Sequence, residues 1–297
     1  MTELVQVVDQ TRGTGLGASQ AGAALGMSPY LSPVGLWMQI RDGSQSKAGA
    51  PAEWGQILEP VIRGYYAARH GYDTEAAHIH VPTESLYHPE HAWLRATPDG
   101  IVREGGADRK LVQVKTVDWR IAWHWGLDKR HRTPPPHYRV QSVVEMAVTG
   151  LSCCDFAVLS SGSDYFECIV ERDPELEGMV VDGLVKFWAC VQTGTPPDLD
   201  ESAEWRAYFA DRLPKQRIEY RVGPEFDERL DQWLVDRREI EAATKRIDLV
   251  KNQALALASD NNATVIVSDK HGAVPVVQSK NKAPYVKAPA LWGMEES

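Results

Sequence analysis

The segments TPDG at residues 97–100 and LVQVKT at 111–116 carry the strongest structural signal in this sequence. Asp99 lies in a turn that leads into a strand. Alternate residues of a strand point to the same face, so Gln113 and Lys115 face one way while the valines between them face a core. This layout is typical of a hydrolytic metal site, in which oxygen ligands hold Mg²⁺ and a lysine orients the nucleophile or stabilises the transition state.

The same residues also admit an ordinary interpretation. Pro-Asp-Gly is a common β-turn sequence, and a strand with one polar face is the normal state of a half-exposed strand. Asp99 and Lys115 alone therefore do not separate a nuclease from a structural turn and strand.

Around this stretch the sequence predicts an α/β (α+β) protein with a mixed central sheet flanked by helices. Ser19 is the expected N-cap of the first helix, and Gly26 its end. Helices are predicted at 19–26, 33–42, 52–70, 137–149 and 173–192, β-like runs between about 76 and 117, and two further strands at 153–160 and 164–171.

A composition break at 193–200 (TGTPPDLD) predicts the end of a core domain, residues 1–200. Residues 201–297 form an expected C-terminal extension. Within the extension, charged residues and helix formers predict a long amphipathic helix at 225–258. A terminal β-hairpin is expected from 263–268 and 273–278.

Composition excludes several broad classes of protein. The 32 basic and 41 acidic residues give a formal net charge of −9, which argues against a nucleic-acid-coating protein but leaves room for a local basic groove. No stretch has the length of a signal-peptide core or a membrane span. The four cysteines lack zinc-site spacing, so we expect reduced thiols in a cytoplasmic protein.

Several sequence blocks, in order, resemble the YqaJ-type viral recombinase family. This family includes the phage lambda exonuclease and belongs to the PD-(D/E)xK nuclease superfamily. The blocks are Arg12 with Gly15–Ser19, Leu25–Tyr30, Trp54-Gly55 with Glu59-Pro60, His88–Gly100, Val114–Thr116, and His137-Tyr138 with Gln141 and Met146–Gly150. Each block is weak alone, and their joint order carries the resemblance.

The resemblance implies a restriction-endonuclease-like core and a set of catalytic roles. Asp99 matches the metal-binding aspartate, and Lys115 matches the catalytic lysine. Glu59 matches a helical acidic residue that reaches the metals, although composition alone favours an exposed glutamate. Asp99, Gln113 and Glu59 are thus the implied ligands of Mg²⁺, with Mn²⁺ as a second candidate.

Gln113 departs from the family pattern, which usually has Glu-x-Lys on this strand. An amide oxygen can ligate Mg²⁺, but it is neutral, so the site would bind metal more weakly. Gln113→Glu is then expected to retain or strengthen cleavage. The alternatives are a catalytically impaired DNA-end-binding protein, or a related nuclease with another nucleic-acid substrate.

The resemblance also implies a 5′-phosphate pocket made by Arg12, Ser19 and Gln141. Arginine offers a bidentate fork for phosphate, and Ser19 and Gln141 add hydroxyl and amide donors. The ordinary alternatives are a solvated tail residue, a plain N-cap and a helix-surface residue.

The implied activity is exonucleolytic degradation of one strand of linear duplex DNA from its 5′ ends, which leaves 3′ single-stranded tails for recombination. The implied partners are double-stranded DNA ends, a single-strand annealing protein and further copies of the chain, with a ring possible. No membrane partner is expected. If the protein is phage-encoded, it would act in the bacterial host cytoplasm.

Two further features leave alternatives open. The basic run Lys129–Arg132 either follows a DNA backbone or forms a solvated loop. Trp119, Trp123 and Trp125 either pack in the core, the better interpretation, or stack at a DNA end.

Overall fold

The computed structural model of the chain describes residues 15–43, 50–118, 120–126, 131–210, 212–270, 272–278 and 283–286. The chain divides into two units, residues 1–213 and 214–297. Within the described residues, no helix combines the length and the apolar character needed to cross a bilayer.

The first unit alternates short strands with helices. Its strands are β1 (Leu16–Gly17), β2 (Ala77–His80), β3 (Leu86–Tyr87), β4 (Leu94–Ala96), β5 (Gly100–Glu104), β6 (Ala107–Val117), β7 (Cys153–Ser160) and β8 (Asp164–Glu171). Its helices are α1 (Ala21–Ala24), α2 (Pro33–Asp42), α3 (Ala50–His70), α4 (Pro136–Thr149), α5 (Pro174–Thr193) and α6 (Glu204–Ala210). Short 3₁₀ turns span Ala18–Gln20 and Ala122–Trp125.

A five-stranded mixed sheet, in the order β2-β5-β6-β7-β8, forms the centre of this unit. Strand β6 pairs with β7 in parallel, and the other pairs are antiparallel. Helix α4 lies in the connection between β6 and β7, as the parallel pairing requires. The predicted mixed sheet is confirmed.

Both faces of the central sheet are covered. Val112 and Val114 pack with Ile62 and Tyr66 of α3 on one face. On the other face, the main core gathers residues of α1, α2, α4 and α5 around the sheet. A strand buried on both faces differs from the half-exposed strand of the ordinary interpretation, so the polar side chains of β6 need internal partners.

Local sequence explains where most helices begin and end. Ser32 caps α2 by accepting a hydrogen bond from the Gly35 N–H, and Asp173 caps α5 in the same way. The helices α2, α4 and α5 each start with a proline, which needs no N–H partner there. Gly150 ends α4 in the left-handed conformation that glycine tolerates.

The first helix departs from its prediction. Ser19 is not an N-cap: it is exposed within the 3₁₀ turn, and α1 starts only at Ala21. The helical turn starts earlier, at Ala18, with Gly17 as its N-cap residue, so Ser19 lies inside the turn. Gln20 folds back and accepts a hydrogen bond from the Gly17 N–H at 3.0 Å through its side-chain oxygen. Gly26 follows the helix with a φ of +70°.

Helix α6 joins the first unit beyond the composition break at 193–200. Its Trp205 is buried, and Tyr208 contacts the Trp37 ring of α2 edge-on. The four cysteines are free thiols, two of them buried and two half-buried.

The second unit consists of one long helix and a small sheet. Helix α7 spans Pro224–Asp260, and the antiparallel strands are β9 (Val265–Ser268), β10 (Gly272–Val277) and β11 (Tyr285–Val286). The predicted helix and hairpin are confirmed, and β11 is an addition. The expected turn residue His271 lies outside the described residues.

Candidate active site

Asp99 is fixed at the start of β5 by contacts on both sides. Its Oδ2 accepts a hydrogen bond from the backbone N–H of Val114 at 2.8 Å. Gly100 follows because a Cβ there would lie 2.5 Å from the Ile79 side chain. The Pro-Asp-Gly turn therefore places the aspartate beside β6, next to Lys115.

Glu59, in helix α3, is linked to the Asp99 turn through Arg63. Arg63, one helical turn later, donates to Glu59 at 2.6 Å and to the backbone carbonyl of Asp99 at 2.9 Å. Burial raises the pKa of Glu59, and the nearby charge of Asp99 raises it further. The arginine thus ties the helix to the turn and brings two carboxylates together.

Lys115 extends from β6 toward these carboxylates. Its Nζ donates to the side-chain oxygen of Gln113 at 2.8 Å and lies 5.1 Å from the centre of the Tyr138 ring. An ammonium group has three donors, so this contact leaves further N–H groups for an incoming ligand. Asp99, Glu59 and Lys115 line one cleft.

Gln113 is completely buried, with 0% of its surface exposed. Its amide nitrogen donates to both carboxylate oxygens of Glu145, at 2.9 and 2.8 Å. Gln141 donates to the Gln113 oxygen and to Glu145, both at 3.0 Å. The alternation of β6 predicted that Gln113 and Lys115 share a face, and their hydrogen bond agrees with it.

Glu145 of α4 is the residue that sequence reasoning missed. It is only 1% exposed, and burial raises its pKa to about 8, with Asp99 as the second cause and hydrogen bonds from Gln141 and Gln113 opposing them. The available signal was a lone acidic residue inside the apolar run VVEMAV at 143–148, four residues after Gln141. Such a position on a helix faces a core.

The cleft in front of these residues has a volume of about 900 Å³. Apart from the charged residues, its walls are largely aromatic and apolar. They include Tyr30, Ile121, Trp125, Pro135, His137 and Tyr138. Charged and aromatic residues together suit a nucleotide, because its phosphate needs polar or charged partners and its base stacks on aromatic rings.

The donor set fits a hard divalent cation. Asp99 and Glu59 line the cleft with carboxylate oxygens, and oxygen ligands are what Mg²⁺ prefers. The oxygen of Gln113, the third ligand that the resemblance implies, is buried and accepts from Lys115 and Gln141. Burial is the main cause of the raised pKa of Glu59, and the neighbouring carboxylate of Asp99 is the second. Within the described residues, no group of three histidine, cysteine or acidic side chains is placed to hold an ion.

The three residues of the expected phosphate pocket have different positions. Arg12 lies outside the described residues. Ser19 is exposed on the 3₁₀ turn before α1, and α1 packs on α4, where Gln141 lies. Gln141 is bonded to Gln113 and Glu145 and is therefore not the helix-surface residue of the ordinary alternative.

The members of the basic run and the three tryptophans have different surroundings in the structure. Arg132 pairs with Asp164 and lies 3.7 Å from the centre of the Phe166 ring, so it packs on the sheet instead of facing DNA. Trp125 is buried in the core, whereas Trp123 is exposed. Trp119, Lys129 and Arg130 lie outside the described residues.

Comparison with known proteins agrees with this geometry. Residues 9–152 match the YqaJ-like viral recombinase domain. The resemblance expected from the sequence blocks is thereby confirmed, and the YqaJ-like domain contains every candidate site residue. A relative, the uncharacterized protein YqaJ of Bacillus subtilis, is 26% identical over 256 residues, which cover 82% of this chain and 74% of the relative.

Solved structures share the fold of the YqaJ-like domain. An alkaline exonuclease from Laribacter hongkongensis, LHK-Exo, superposes with a TM-score of 0.51 at 24% identity, covering 69% of this chain and 97% of its own. The same enzyme in complex with dAMP gives 0.51 at 23% identity, covering 68% and 97%. The PD-(D/E)xK-like fold class is confirmed. The match to the viral recombinase domain supports a nuclease function.

Proposed function

We propose that this protein is a Mg²⁺-dependent DNA exonuclease of the phage recombination type. The observation that carries the proposal is the convergence of Asp99, Glu59 and Lys115 in one cleft, with Asp99 in the turn before β5 bonded to the strand that carries Lys115. The YqaJ-like domain match supports the nuclease class.

The side chains divide the work of phosphodiester hydrolysis. Asp99 and Glu59 would hold the cation, which when bound supplies positive charge at the scissile phosphate. The Gln113 oxygen is the third ligand that the family resemblance implies. Lys115 donates to a phosphate oxygen or to the attacking water and thereby stabilises the negative charge that develops. The aromatic walls hold the terminal base and keep bulk water out.

The direction of digestion follows the family resemblance. We propose that one strand of linear duplex DNA is degraded from its 5′ ends, with Arg12, Ser19 and Gln141 holding the terminal phosphate and a 3′ single-stranded tail as product. A single-strand annealing protein would bind that tail. A closed homo-oligomeric ring around DNA would suit processive digestion.

The first test is digestion of a linear duplex with 5′-phosphates, in Mg²⁺ and in EDTA, beside the Asp99→Ala variant. Loss of one strand that requires ends and Mg²⁺, and is absent in the variant, is the expected result. Cleavage of circular DNA or RNA at an equal rate would overturn the exonuclease assignment. Substituting Mn²⁺ separates metal preference from metal dependence.

One observation favours a second candidate. Gln113 is neutral where the family pattern has a carboxylate, so the chain would serve as a DNA-end-binding protein if it cannot hold the cation. Absence of cleavage in both Mg²⁺ and Mn²⁺, with binding to duplex ends retained, would replace the exonuclease by this function.

A further inference from the structure

Glu145 is a buried acid with no cationic side chain among its hydrogen-bond partners in the described part of the chain. Three N–H contacts reach it, two from Gln113 and one from Gln141, at 2.8–3.0 Å. Burying a carboxyl group in a core is costly unless hydrogen bonds compensate. An apolar residue would fill this position on α4 at less cost, so the carboxylate needs an explanation beyond packing.

The contacts of Gln113 supply that explanation. An amide has an accepting end and a donating end, and here the two ends meet different neighbours. The oxygen accepts from Lys115 at 2.8 Å and from Gln141 at 3.0 Å. The nitrogen meets only the two carboxyl oxygens of Glu145, which accept from it at 2.9 and 2.8 Å.

Glu145 therefore selects one of the two orientations of the amide. With the amide reversed, the Gln113 N–H₂ group would face the Lys115 ammonium, which places two donors against each other. The two N–H contacts to Glu145 would also be lost.

We propose that Glu145 is a positioning residue of the candidate nuclease centre: by accepting both N–H contacts of the Gln113 amide, it keeps the oxygen of Gln113 turned toward Lys115. The inference rests on the proposed function. Gln113 and Glu145 then act as one amide–carboxylate pair, and the two groups should be exchangeable between strand and helix.

Four proteins test the pair: the wild type, Glu145→Gln, Gln113→Glu and the double exchange Gln113→Glu/Glu145→Gln. Glu145→Gln should lower kcat by about 10–100-fold, the usual effect of losing a partner that orients a metal ligand. Its KM for duplex ends and its end binding in EDTA should stay within about two-fold of wild type. The Mg²⁺-induced rise in melting temperature, measured without DNA, should shrink.

Gln113→Glu places a second carboxylate where Glu145 lies 2.8 Å away. It should lower the melting temperature and the turnover, in contrast to the expectation from the strand motif alone. The double exchange restores one amide and one carboxylate, so it should recover melting temperature, Mg²⁺ response and most of the turnover. A merely structural Glu145 would not produce this recovery of the metal response.

Asp155→Asn is the matched control. Asp155 is also a buried acid, on the neighbouring strand β7, but it bonds Tyr66 and Lys110 on the other face of the sheet. Its loss should lower the melting temperature and leave the Mg²⁺ response and the kcat of the folded protein unchanged.

The outcomes separate the two proposals. An inactive wild type overturns the exonuclease, while the melting temperatures still test the pair. A double exchange no more stable than Gln113→Glu overturns the pairing. An active wild type with an equally active Glu145→Gln variant and an unchanged Mg²⁺ response overturns the positioning role and leaves the exonuclease intact.

Discussion

The Asp99 carboxylate accepts a hydrogen bond from the Val114 N–H at 2.8 Å, which joins the turn before β5 to the strand that carries Lys115. The two residues are fifteen positions apart in the chain. Through this one bond, the spacing between the acidic and the basic group of the candidate centre is set by sheet pairing and not by a flexible loop.

The Asp99–Val114 bond makes the choice of substitution informative. Asp99→Asn keeps an oxygen that accepts from Val114 but removes the charge, so it should leave the melting temperature almost unchanged. Cleavage should fall by at least about 100-fold, as when one electrostatic group of a catalytic site is lost. Single-turnover digestion of a 5′-phosphorylated duplex measures this.

Asp118→Asn is the control for that experiment. Asp118 also lines the cleft, but its carboxylate contacts Arg120 and is about half exposed. We expect its cleavage rate to remain within a few-fold of wild type. Comparable losses for the two variants would mean that general cleft charge, and not a specific ligand position, drives the reaction.

Two lysines of β6 give a matched pair. Lys115→Met removes the donor that faces the cleft and should lower kcat by about 100-fold or more, with little change in stability. Lys110→Met should do the reverse, because it leaves the Asp155 carboxylate buried without its cation. Breaking a buried pair costs about 3–5 kcal/mol, which urea unfolding would show. A large kcat loss in Lys110→Met alone would contradict these assignments.

Substrate ends with and without a 5′-phosphate should separate Arg12 from Gln141. Arg12→Ala is expected to slow digestion of phosphorylated ends selectively. Gln141→Ala removes a donor to both Gln113 and Glu145, so it should slow both kinds of end. Equal losses on both substrates in Arg12→Ala would remove Arg12 from the phosphate pocket, and a selective loss in Gln141→Ala would place Gln141 mainly there.

Two helical glycines should respond oppositely to alanine. A Cβ at Gly22 would lie 2.8 Å from the Cβ of His137 and 3.1 Å from its Cα, so Gly22→Ala forces α1 away from α4. It should cost about 1–3 kcal/mol. Gly64, in α3, has open space around it, and Gly64→Ala should add about 0.5–1 kcal/mol. Chemical unfolding measures both, and a neutral Gly22→Ala would contradict the close packing.

Much of the fold was predictable because local signals and burial agree. The strands at 153–160 and 164–171 have the predicted bounds, and α4 ends at Gly150 as expected. The period of β6 correctly placed Gln113 with Lys115. Ser19 is not a cap because the helical turn starts two residues before the predicted first turn, with Gly17 as its N-cap residue and Gln20 bonding back to it, which propensity does not resolve.

The candidate site was less predictable because it depends on tertiary contacts. The resemblance supplied Asp99, Glu59 and Lys115, and the structure brings them to one cleft. Gln113 is fully buried because α4 covers that face of the sheet. The periodicity of a strand does not show which helix covers it. Glu145 lies thirty-two residues from its partner, so no local pattern links the two.

The contact between Gln113 and Glu145 has a consequence for related sequences. Two carboxylates in contact repel each other, and two amides leave no charge, so the two positions should covary. A relative with glutamate at the strand position should carry an uncharged residue at the helix position. Relatives that are neutral at both positions are where we expect nuclease activity to have given way to other roles, and a search for Glu-x-Lys alone would not distinguish them from chains like this one.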